Sequence, residues 1–523
     1  MGIPRAQLED QGQPAGPSFV RGSWHWLLAI AIAAIAFLFR LIPVLRGGGL
    51  FGLGNYDDGV YYAASTGIAH GLLPYRDFLL LHPPGVPLLL TPFALVAQLT
   101  SDSYGFAAAR VAWMLLGALN AVLIWRILRP IGLISALLGA LSYAVFYPAV
   151  YADHTTLLEG PATTALLMAI LLLEPLSNAG NLSRARGFAA GAVLGLTVVI
   201  KIWGVVTVVI VLGWLLVIRR FRAALQVAIG CAASAGLICL PFFLAAPSAM
   251  WHELVRDQIV RHANRGVTVL GRLDEIVGLG IVGRPHVSIT VTAVFALLCC
   301  AGLAWTYRGA RLPVLLLLAQ GAFLLVTPTW FPHYAGYTAG PIALAIGAAI
   351  GRLSALVRAR SARIAVAIAV TAALLGYASG WSDIHFGQRF PDRFKTLATS
   401  ATGCVTTDDP AALVATDTLS RNLSRGCRFI ADLGGHSHDL AAASGNMVSR
   451  NKNKPFQRLA VTYLSTGSVT ILIRFSAGQG FSAKTTAILD QWPLLAHSGK
   501  YQVRRPVALG QSATTESPTT QRR

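Results

Sequence analysis

Two adjacent carboxylates near the start of the chain are the residues best placed for chemistry. Asp57 and Asp58 belong to the polar segment 55–62, Asn-Tyr-Asp-Asp-Gly-Val-Tyr-Tyr, which follows the first long apolar run. On a helix, consecutive side chains point about 100° apart, so one carboxylate can face a cavity while its neighbour caps the helix or binds a cation. A carboxylate in a cavity can accept a proton as a general base. For each residue, a catalytic base and a helix cap are both open.

Further polar side chains follow in the same loop. They are Tyr61, Tyr75, Arg76, Asp77 and His82, the last of which directly precedes Pro-Pro-Gly. We interpret this set as candidate substrate-binding residues around the catalytic candidates Asp57 and Asp58.

The composition indicates what kind of protein must position these residues. Of 523 residues, 54% are hydrophobic and only 12% are charged, which is typical of a polytopic membrane protein. Apolar runs long enough to cross ~30 Å of hydrocarbon as helices recur along the chain, and the alternation of a β-barrel is absent. The sequence therefore predicts an α-helical polytopic membrane protein.

The net charge of +20 does not indicate a nucleic-acid partner. The excess lies in short arginine clusters between apolar runs, without a basic domain or interleaved aromatic residues that would follow a phosphate backbone. We therefore interpret the charge as a signal of membrane orientation.

Positive charge on the cytoplasmic side favours about eleven spans. The candidate spans are roughly 24–45, 104–127, 131–150, 160–177, 187–204, 204–218, 223–246, 287–306, 311–327, 335–351 and 363–380. If segment 85–100 also crossed, the later arginine-bearing turns would lie opposite to the basic N-terminus, so we expect it to lie along the outer surface. The N-terminus is then cytoplasmic. The first loop, 46–103, is then on the outside, as is the C-terminal tail.

Four domains or segments follow from this topology. We predict a cytoplasmic N-terminus over 1–22, a transmembrane domain over 23–381 with the catalytic loop 46–103, a small α/β extracytoplasmic domain over 385–505, and a disordered tail over 506–523. Segments 461–463 and 468–473 have the composition of strands. Because Cys404 and Cys427 would lie in an oxidising compartment, we expect a disulfide between them.

Four later residues also lie near the predicted outer boundary. Glu159 is either a helix cap or a substrate ligand, Lys201 either snorkels to the interface or pairs with an anion, and His333 and Tyr334 are either interfacial residues or part of the cavity. Scattered carboxylates and one histidine do not form a metal-coordination pattern, so no metal ligands are assigned and a divalent metal is left open as a cofactor.

In the order of these motifs, residues 50–350 resemble the GT-C superfamily of membrane glycosyltransferases, which includes protein O-mannosyltransferases and the aminoarabinose transferases of lipid A. The matching elements are Asp57-Asp58 with Tyr61, Pro74 to Phe78, His82 to Gly85, Glu159-Gly-Pro161, Lys201, and His333-Tyr334 with Pro341. The segment from 385 resembles instead the C-terminal extracytoplasmic domain of related actinobacterial transferases.

The resemblance implies a GT-C-like fold and a hexosyl- or pentosyltransferase in the plasma membrane. It implies inverting transfer from a polyprenyl-phosphate sugar to a cell-envelope glycan, lipid or protein acceptor on the outer face. Asp57 is the first candidate for the base. Two alternatives stay open, a transporter or flippase of lipid-linked sugars and a glycan ligase that uses a diphosphate donor.

Overall fold

The structure is a computed structural model that describes residues 20–177, 181–259, 267–280, 286–357, 359–381, 383–443 and 448–507. The predicted cytoplasmic segment 1–22 and the predicted disordered tail 506–523 lie almost wholly outside these described residues.

Among the described residues, twelve helices lie in the first half of the chain, and six further ones complete the apolar part and begin the tail. They are α1 (Val20–Gly47), α2 (Tyr56–Ala69), α3 (Gly85–Leu99), α4 (Asp102–Leu128), α5 (Leu133–Val145), α6 (Tyr147–Asp153), α7 (Glu159–Ser177), α8 (Arg184–Ile200), α9 (Gly204–Val217), α10 (Phe221–Ala245), α11 (Pro247–Trp251), α12 (Asp257–Ile259), α13 (Val269–Ile276), α14 (Val287–Trp305), α15 (Arg311–Val326), α16 (Ala339–Leu356), α17 (Arg360–Ser379) and α18 (Asp392–Thr399). A π-helical turn, His252–Arg256, follows α11, and 3-10 turns occupy Arg308–Ala310 and Pro332–Thr338.

The apolar helices agree with the membrane protein that the sequence predicts. Among the described residues, seven helices are each long and apolar enough to cross a membrane, and α5 with α6 forms an eighth candidate bent by 59°. Helices occupy all eleven segments predicted as spans, while the count of eleven crossings itself stays a prediction. Helix α3 has 15 residues, or ~22 Å of length, which is shorter than the ~30 Å of hydrocarbon it would have to cross.

A sharp break between α8 and α9 positions Lys201. The backbone of Lys201 is extended, with φ −145° and ψ 128°, and α9 begins three residues later at Gly204. A Cβ atom on Gly204 would lie 2.3 Å from the carbonyl carbon of Thr197, so only glycine lets α9 start this close to α8. Lys201 therefore sits where the two helices meet.

The C-terminal part is a small α/β unit. Its remaining elements are β1 (Val405–Thr407), α19 (Pro410–Ala415), α20 (Leu419–Ser424), α21 (Leu433–Ala443), α22 (Lys454–Leu464), β2 (Val469–Leu472), α23 (Ala483–Asp490), β3 (Leu494–Ser498) and β4 (Tyr501–Arg504), with a 3-10 turn at Arg450–Lys452. The strands form one sheet in the order β1-β2-β4-β3, in which β1 and β2 are parallel and the other pairs antiparallel.

One of the two predicted strands is present and the other is wrong. Segment 468–473 contains β2, but 461–463 lies inside α22. The side chain of Asn453 caps this helix by accepting a hydrogen bond from the backbone N–H of Phe456, and Phe456, Ala460 and Leu464 recur at helical spacing on its buried face. The β-branched residues Val461 and Thr462 favour a strand locally, but the cap and the helical spacing of the buried residues outweigh this preference. Cys404 and Cys427 form a disulfide.

The C-terminal unit packs directly on the first outer loop. Leu53 and Gln388 exchange two backbone hydrogen bonds of 2.8 Å. At Gly59, in the first turns of α2, an added Cβ would lie 2.8 Å from both the backbone N and the Cβ of Ala411. One buried apolar cluster contains Val60 of α2 together with Ile471 of β2. The two parts of the chain therefore share a core.

Candidate active site

The adjacent carboxylates at the start of α2 have different surroundings. The side chain of Asp57 is 34% exposed and lines a cavity, whereas that of Asp58 is 0% exposed. Asp58 Oδ2 accepts hydrogen bonds from Nε and Nη2 of Arg110 at 3.1 and 2.9 Å. Arg110 in turn donates to the carbonyl oxygens of residues 49, 50 and 52. Asp58 therefore fixes the loop before α2, and Asp57 is the carboxylate available to a substrate.

The cavity gathers residues from five separate parts of the chain. Its polar lining consists of Asp57, Tyr61, His82, Lys201, His333, Tyr334 and Asp432. The first six come from α2, the loop before α3, the α8–α9 break and the 3-10 turn before α16, and all six are sequence-predicted site residues. Under the predicted topology, each of these elements lies at the outer boundary of the membrane.

Lys201 is held in the lining by one carboxylate and two aromatic rings. Its Nζ lies 2.5 Å from Glu159 Oε1, and the side chains are 3% and 1% exposed, respectively. The ammonium also lies 3.8 Å from the ring centroid of Trp203 and 4.2 Å from that of Tyr334, within the range of cation–π attraction. A side chain buried in this way does not snorkel to the membrane surface. Lys201 thus places positive charge in the cavity wall.

His333 is the second candidate for positive charge near Asp57. Its Nε2 lies 3.9 Å from Asp57 Oδ2, and the imidazole stacks on Phe331 with ring centroids 5.8 Å apart. The ring of His82 meets Tyr61 edge-on at 5.6 Å, which fixes the opposite wall. The carboxylate, the imidazole and the ammonium therefore surround one space.

Three predicted substrate ligands in the first loop do not line this cavity in the structure, and their contacts shape the loop. The hydroxyl of Tyr75 donates to the carbonyl oxygen of His82 at 2.7 Å. Arg76 and Asp77 pair with each other at the surface at 2.8 Å, and Asp77 also accepts a hydrogen bond from the backbone N–H of Leu73. These contacts close the turn that presents His82.

Two polar residues at the end of α6 are held in structural contacts. Asp153 pairs with Arg40 at 2.8 Å, and the ring of His154 stacks on Phe386 with a centroid distance of 4.0 Å. In the described part of the chain, no group of three or more His, Cys, Asp or Glu residues is arranged to hold a metal ion. Within this described part, Asp57 therefore has no set of metal ligands around it.

Asp432 is the cavity residue that the sequence reasoning missed. It lies just before α21 in the C-terminal unit, and its Oδ1 accepts hydrogen bonds from the Tyr56 hydroxyl at 2.9 Å and from the Gly435 N–H at 2.6 Å. Burial raises the pKa of Asp432, and the nearby charge of Asp57 raises it further. In sequence, Asp-Leu-Gly-Gly is only a helix-start pattern, and the docking of the C-terminal unit on α2 cannot be inferred from it.

Part of the chain matches a known protein family. The model of glycosyltransferase family 87 (GT87) matches residues 80–328. Among curated proteins, no sequence matches this chain significantly.

Solved structures of membrane glycosyltransferases share the fold. Apo ArnT from Cupriavidus metallidurans has a TM-score of 0.61 at 14% identity, covering 94% of this chain and 99% of its own. The same ArnT bound to undecaprenyl phosphate has a TM-score of 0.55 at 14% identity, covering 93% and 99%. The oligosaccharyltransferase AglB from Archaeoglobus fulgidus, in complex with an inhibitory peptide and a dolichol-phosphate, has a TM-score of 0.55 at 13% identity, covering 87% and 70%.

The ArnT and AglB folds are those of the GT-C superfamily, as the first-loop motifs predict. The chain is therefore a multi-pass membrane protein with the GT-C fold of these enzymes, and a glycosyltransferase family model matches slightly less than half of it.

Proposed function

We propose that the protein transfers a hexosyl or pentosyl group from a polyprenyl-phosphate donor to a cell-envelope glycan, lipid or protein acceptor, with inversion at the anomeric carbon. The observation that carries the proposal is the partly exposed carboxylate of Asp57 in a cavity that also contains Lys201 and His333. Two proteins of the same fold support the class of donor, since ArnT binds undecaprenyl phosphate and AglB binds a dolichol-phosphate together with a peptide.

Asp57 acts as the general base in this mechanism. Its carboxylate takes the proton of the acceptor hydroxyl while the hydroxyl oxygen attacks the anomeric carbon, and the bond from that carbon to the phosphate oxygen breaks. A single displacement of this kind inverts the configuration. The leaving group is a polyprenyl phosphate, which needs no proton from a general acid to depart.

Lys201 and His333 stabilise the charge that develops on the leaving phosphate. Preorganised positive groups at a low-dielectric boundary favour an anion strongly, because little water is present to screen it. Glu159 holds the Lys201 ammonium at 2.5 Å and thereby orients it in the wall. Tyr61, His82 and Tyr334 form the remaining walls, where rings and polar tips are suited to the faces and hydroxyls of a sugar.

The reaction takes place on the outer face of the plasma membrane in this proposal. The N-terminus is then cytoplasmic, and the C-terminal unit that covers the cavity is extracytoplasmic. The placement rests on the arginine-rich turns, which the positive-inside rule assigns to the cytoplasm.

Replacement of Asp57 by Asn tests the proposed base. We expect Asp57→Asn to lower sugar transfer by about 10²- to 10⁴-fold, because the amide cannot accept the acceptor's proton. The measurement is transfer of label from a panel of radiolabelled polyprenyl-phosphate pentoses and hexoses into membrane acceptors, with protein in lipid nanodiscs.

The matched control is Asp392→Asn, which removes an acid whose side chain is 84% exposed in the C-terminal unit. This control should transfer sugar at the wild-type rate. Wild-type turnover in the Asp57 variant, or transfer only from diphosphate donors, would contradict the proposal.

A further inference from the structure

We propose that the C-terminal unit completes the sugar-binding cavity by supplying Asp432, whose carboxylate accepts a hydrogen bond from one hydroxyl of the bound substrate. This inference rests on the proposed function and extends it to substrate selection. The C-terminal unit is then part of the active site, although it lies beyond residues 80–328, which match the GT87 model.

The position of Asp432 is the first support. It lines the same cavity as Asp57, Lys201 and His333, although it belongs to a different part of the fold. Tyr61 lines this cavity together with both Asp57 and Asp432. A substrate hydroxyl held between these acids would meet Asp57 on one side and Asp432 on the other.

The hydrogen bonds of Asp432 leave one oxygen for a ligand. Both hydrogen bonds that the carboxylate accepts from the described residues go to Oδ1, from the Tyr56 hydroxyl and the Gly435 N–H. An ionised carboxylate has two oxygens and about four sites for hydrogen-bond donors. The Oδ2 atom can therefore accept a sugar hydroxyl without giving up either existing contact.

Tyr56 ties this carboxylate to the catalytic helix. Its hydroxyl donates to Asp432 and accepts the N–H of Gly434 at 2.8 Å. Its ring lies 5.0 Å from the guanidinium carbon of Arg474, and its ring centroid is 6.4 Å from that of Phe475. Because Tyr56 directly precedes Asp57, the two carboxylates are held in a fixed relation.

A helix cap is the competing explanation for Asp432. The Gly435 N–H bond is typical of a residue that caps the start of α21. A cap needs neither a place in the lining of the cavity nor a hydrogen bond from the residue beside Asp57. Asn and Ser also cap helices well, so they can keep the cap while removing the charge of the carboxylate.

The test combines Asp432 variants with deoxy substrates. Asp432→Asn and Asp432→Ser are assayed with a panel of donors that each lack one sugar hydroxyl, and with acceptors deoxygenated in the same way. For wild-type protein, we expect one deoxy compound to lose about 10- to 100-fold in kcat/KM, as for a hydrogen bond to a charged group. In both variants, the same compound and its parent should react at nearly equal rates.

The identity of that compound shows whether the hydroxyl belongs to the donor or the acceptor. If every deoxy compound loses the same factor in wild type and variants, Asp432 contacts no substrate hydroxyl and the inference is overturned. Wild-type kinetics in both variants would overturn it too. The control Asp439→Asn, on the same helix, should leave kcat/KM unchanged.

Failure of this inference is distinguishable from failure of the proposed function. If wild-type protein transfers sugar and Asp57→Asn does not, the proposed function stands whatever the deoxy panel shows. Tyr56→Phe provides a second comparison, because it keeps the carboxylate but removes its hydrogen bond to α2. In this variant, we expect the same deoxy compound still to react more slowly than its parent, but by a smaller factor than in wild-type protein.

Discussion

At the scale of single residues, Asp57 and Asp58 show how backbone geometry separates two identical side chains. Consecutive positions on α2 send one carboxylate into the cavity and the other into a fully buried pair with Arg110. The guanidinium also donates to three backbone carbonyls of the preceding loop. Asp57 therefore faces the cavity, whereas its neighbour Asp58 stabilises the preceding loop.

The first prediction at this scale concerns the folding role of Asp58. Asp58→Asn leaves the Arg110 charge buried without its counter-charge, which costs about 3–5 kcal/mol when a buried pair is broken. We expect a clearly lower melting temperature in nanodiscs and lower yield. The double variant Asp58→Asn with Arg110→Gln should recover part of that loss, because no buried charge is left over. An unchanged melting temperature with abolished sugar transfer would instead make Asp58 a catalytic residue.

The sequence predicts most of the polar residues that line the cavity, but not all of them. Asp57, Tyr61, His82, Lys201, His333 and Tyr334 were grouped because motif order and charge bias place them on one side of the membrane, and the structure brings them together. Arg76 and Asp77 belong to the same motifs, but their mutual ion pair is local and the sequence contains no sign of it. Asp432 was missed because its contact with α2 is purely tertiary.

At the scale of elements, two adjacent buried acids, Asp408 and Asp409, organise the region after β1. Asp408 directly follows β1, and its carboxylate accepts hydrogen bonds from the backbone N–H groups of residues 473, 474 and 475, just after β2. Asp409 caps α19 through the N–H of Ala411, the residue that packs on Gly59. Burial raises the pKa of Asp408 to about 6 and that of Asp409 to about 8.

These shifts predict that stability falls as pH rises. A carboxyl group whose pKa is raised in the folded state binds its proton more tightly in the folded protein than in the unfolded protein. In the unfolded protein, the pKa of Asp is about 3.9. Between the unfolded-state pKa and the folded-state pKa, each such group lowers the free energy of unfolding by up to about 1.4 kcal/mol for every unit by which the pH rises. We expect the melting temperature to drop from pH 4 to pH 8. Asp409→Asn, which can still cap α19, should flatten that profile above pH 6, and an identical slope in this variant would contradict the assignment.

Elements were predicted from sequence with uneven success for a physical reason. Membrane helices must satisfy every backbone group internally, so long apolar runs alone locate them, and all eleven predicted segments are helical. In the C-terminal unit, short segments can be helix or strand, and packing decides. Segment 461–463 is helical because it lies in α22, which starts at the cap residue Asn453, whereas segment 468–473 contains β2.

At the scale of the whole molecule, orientation in the membrane is the proposition on which the outer-face reaction depends. The arginine-bearing turn before α8 should be cytoplasmic and the C-terminal unit outside. Single cysteines at Arg184 and Lys484, both exposed, report on these two sides once Cys231, Cys239, Cys299 and Cys300 are replaced by alanine.

We expect a membrane-impermeant maleimide to label Lys484→Cys in intact cells and Arg184→Cys only after lysis. The Cys404–Cys427 disulfide blocks both native cysteines of the C-terminal unit, and the protein without added cysteines serves as the background control. Labelling of Arg184→Cys in intact cells would show that the turn before α8 lies outside the cell. It would thereby contradict a reaction on the outer face.

The contact of Gly59 with Ala411, and the paired hydrogen bonds of Leu53 with Gln388, also govern when the enzyme can begin to work. The loop that carries Asp57 leaves the ribosome early, whereas its docking partners are translated only after every apolar helix. Nascent and prematurely terminated chains therefore enter the bilayer without a finished cavity. Under the proposed function, sugar transfer therefore requires that the C-terminal unit has been synthesised and has folded onto α2.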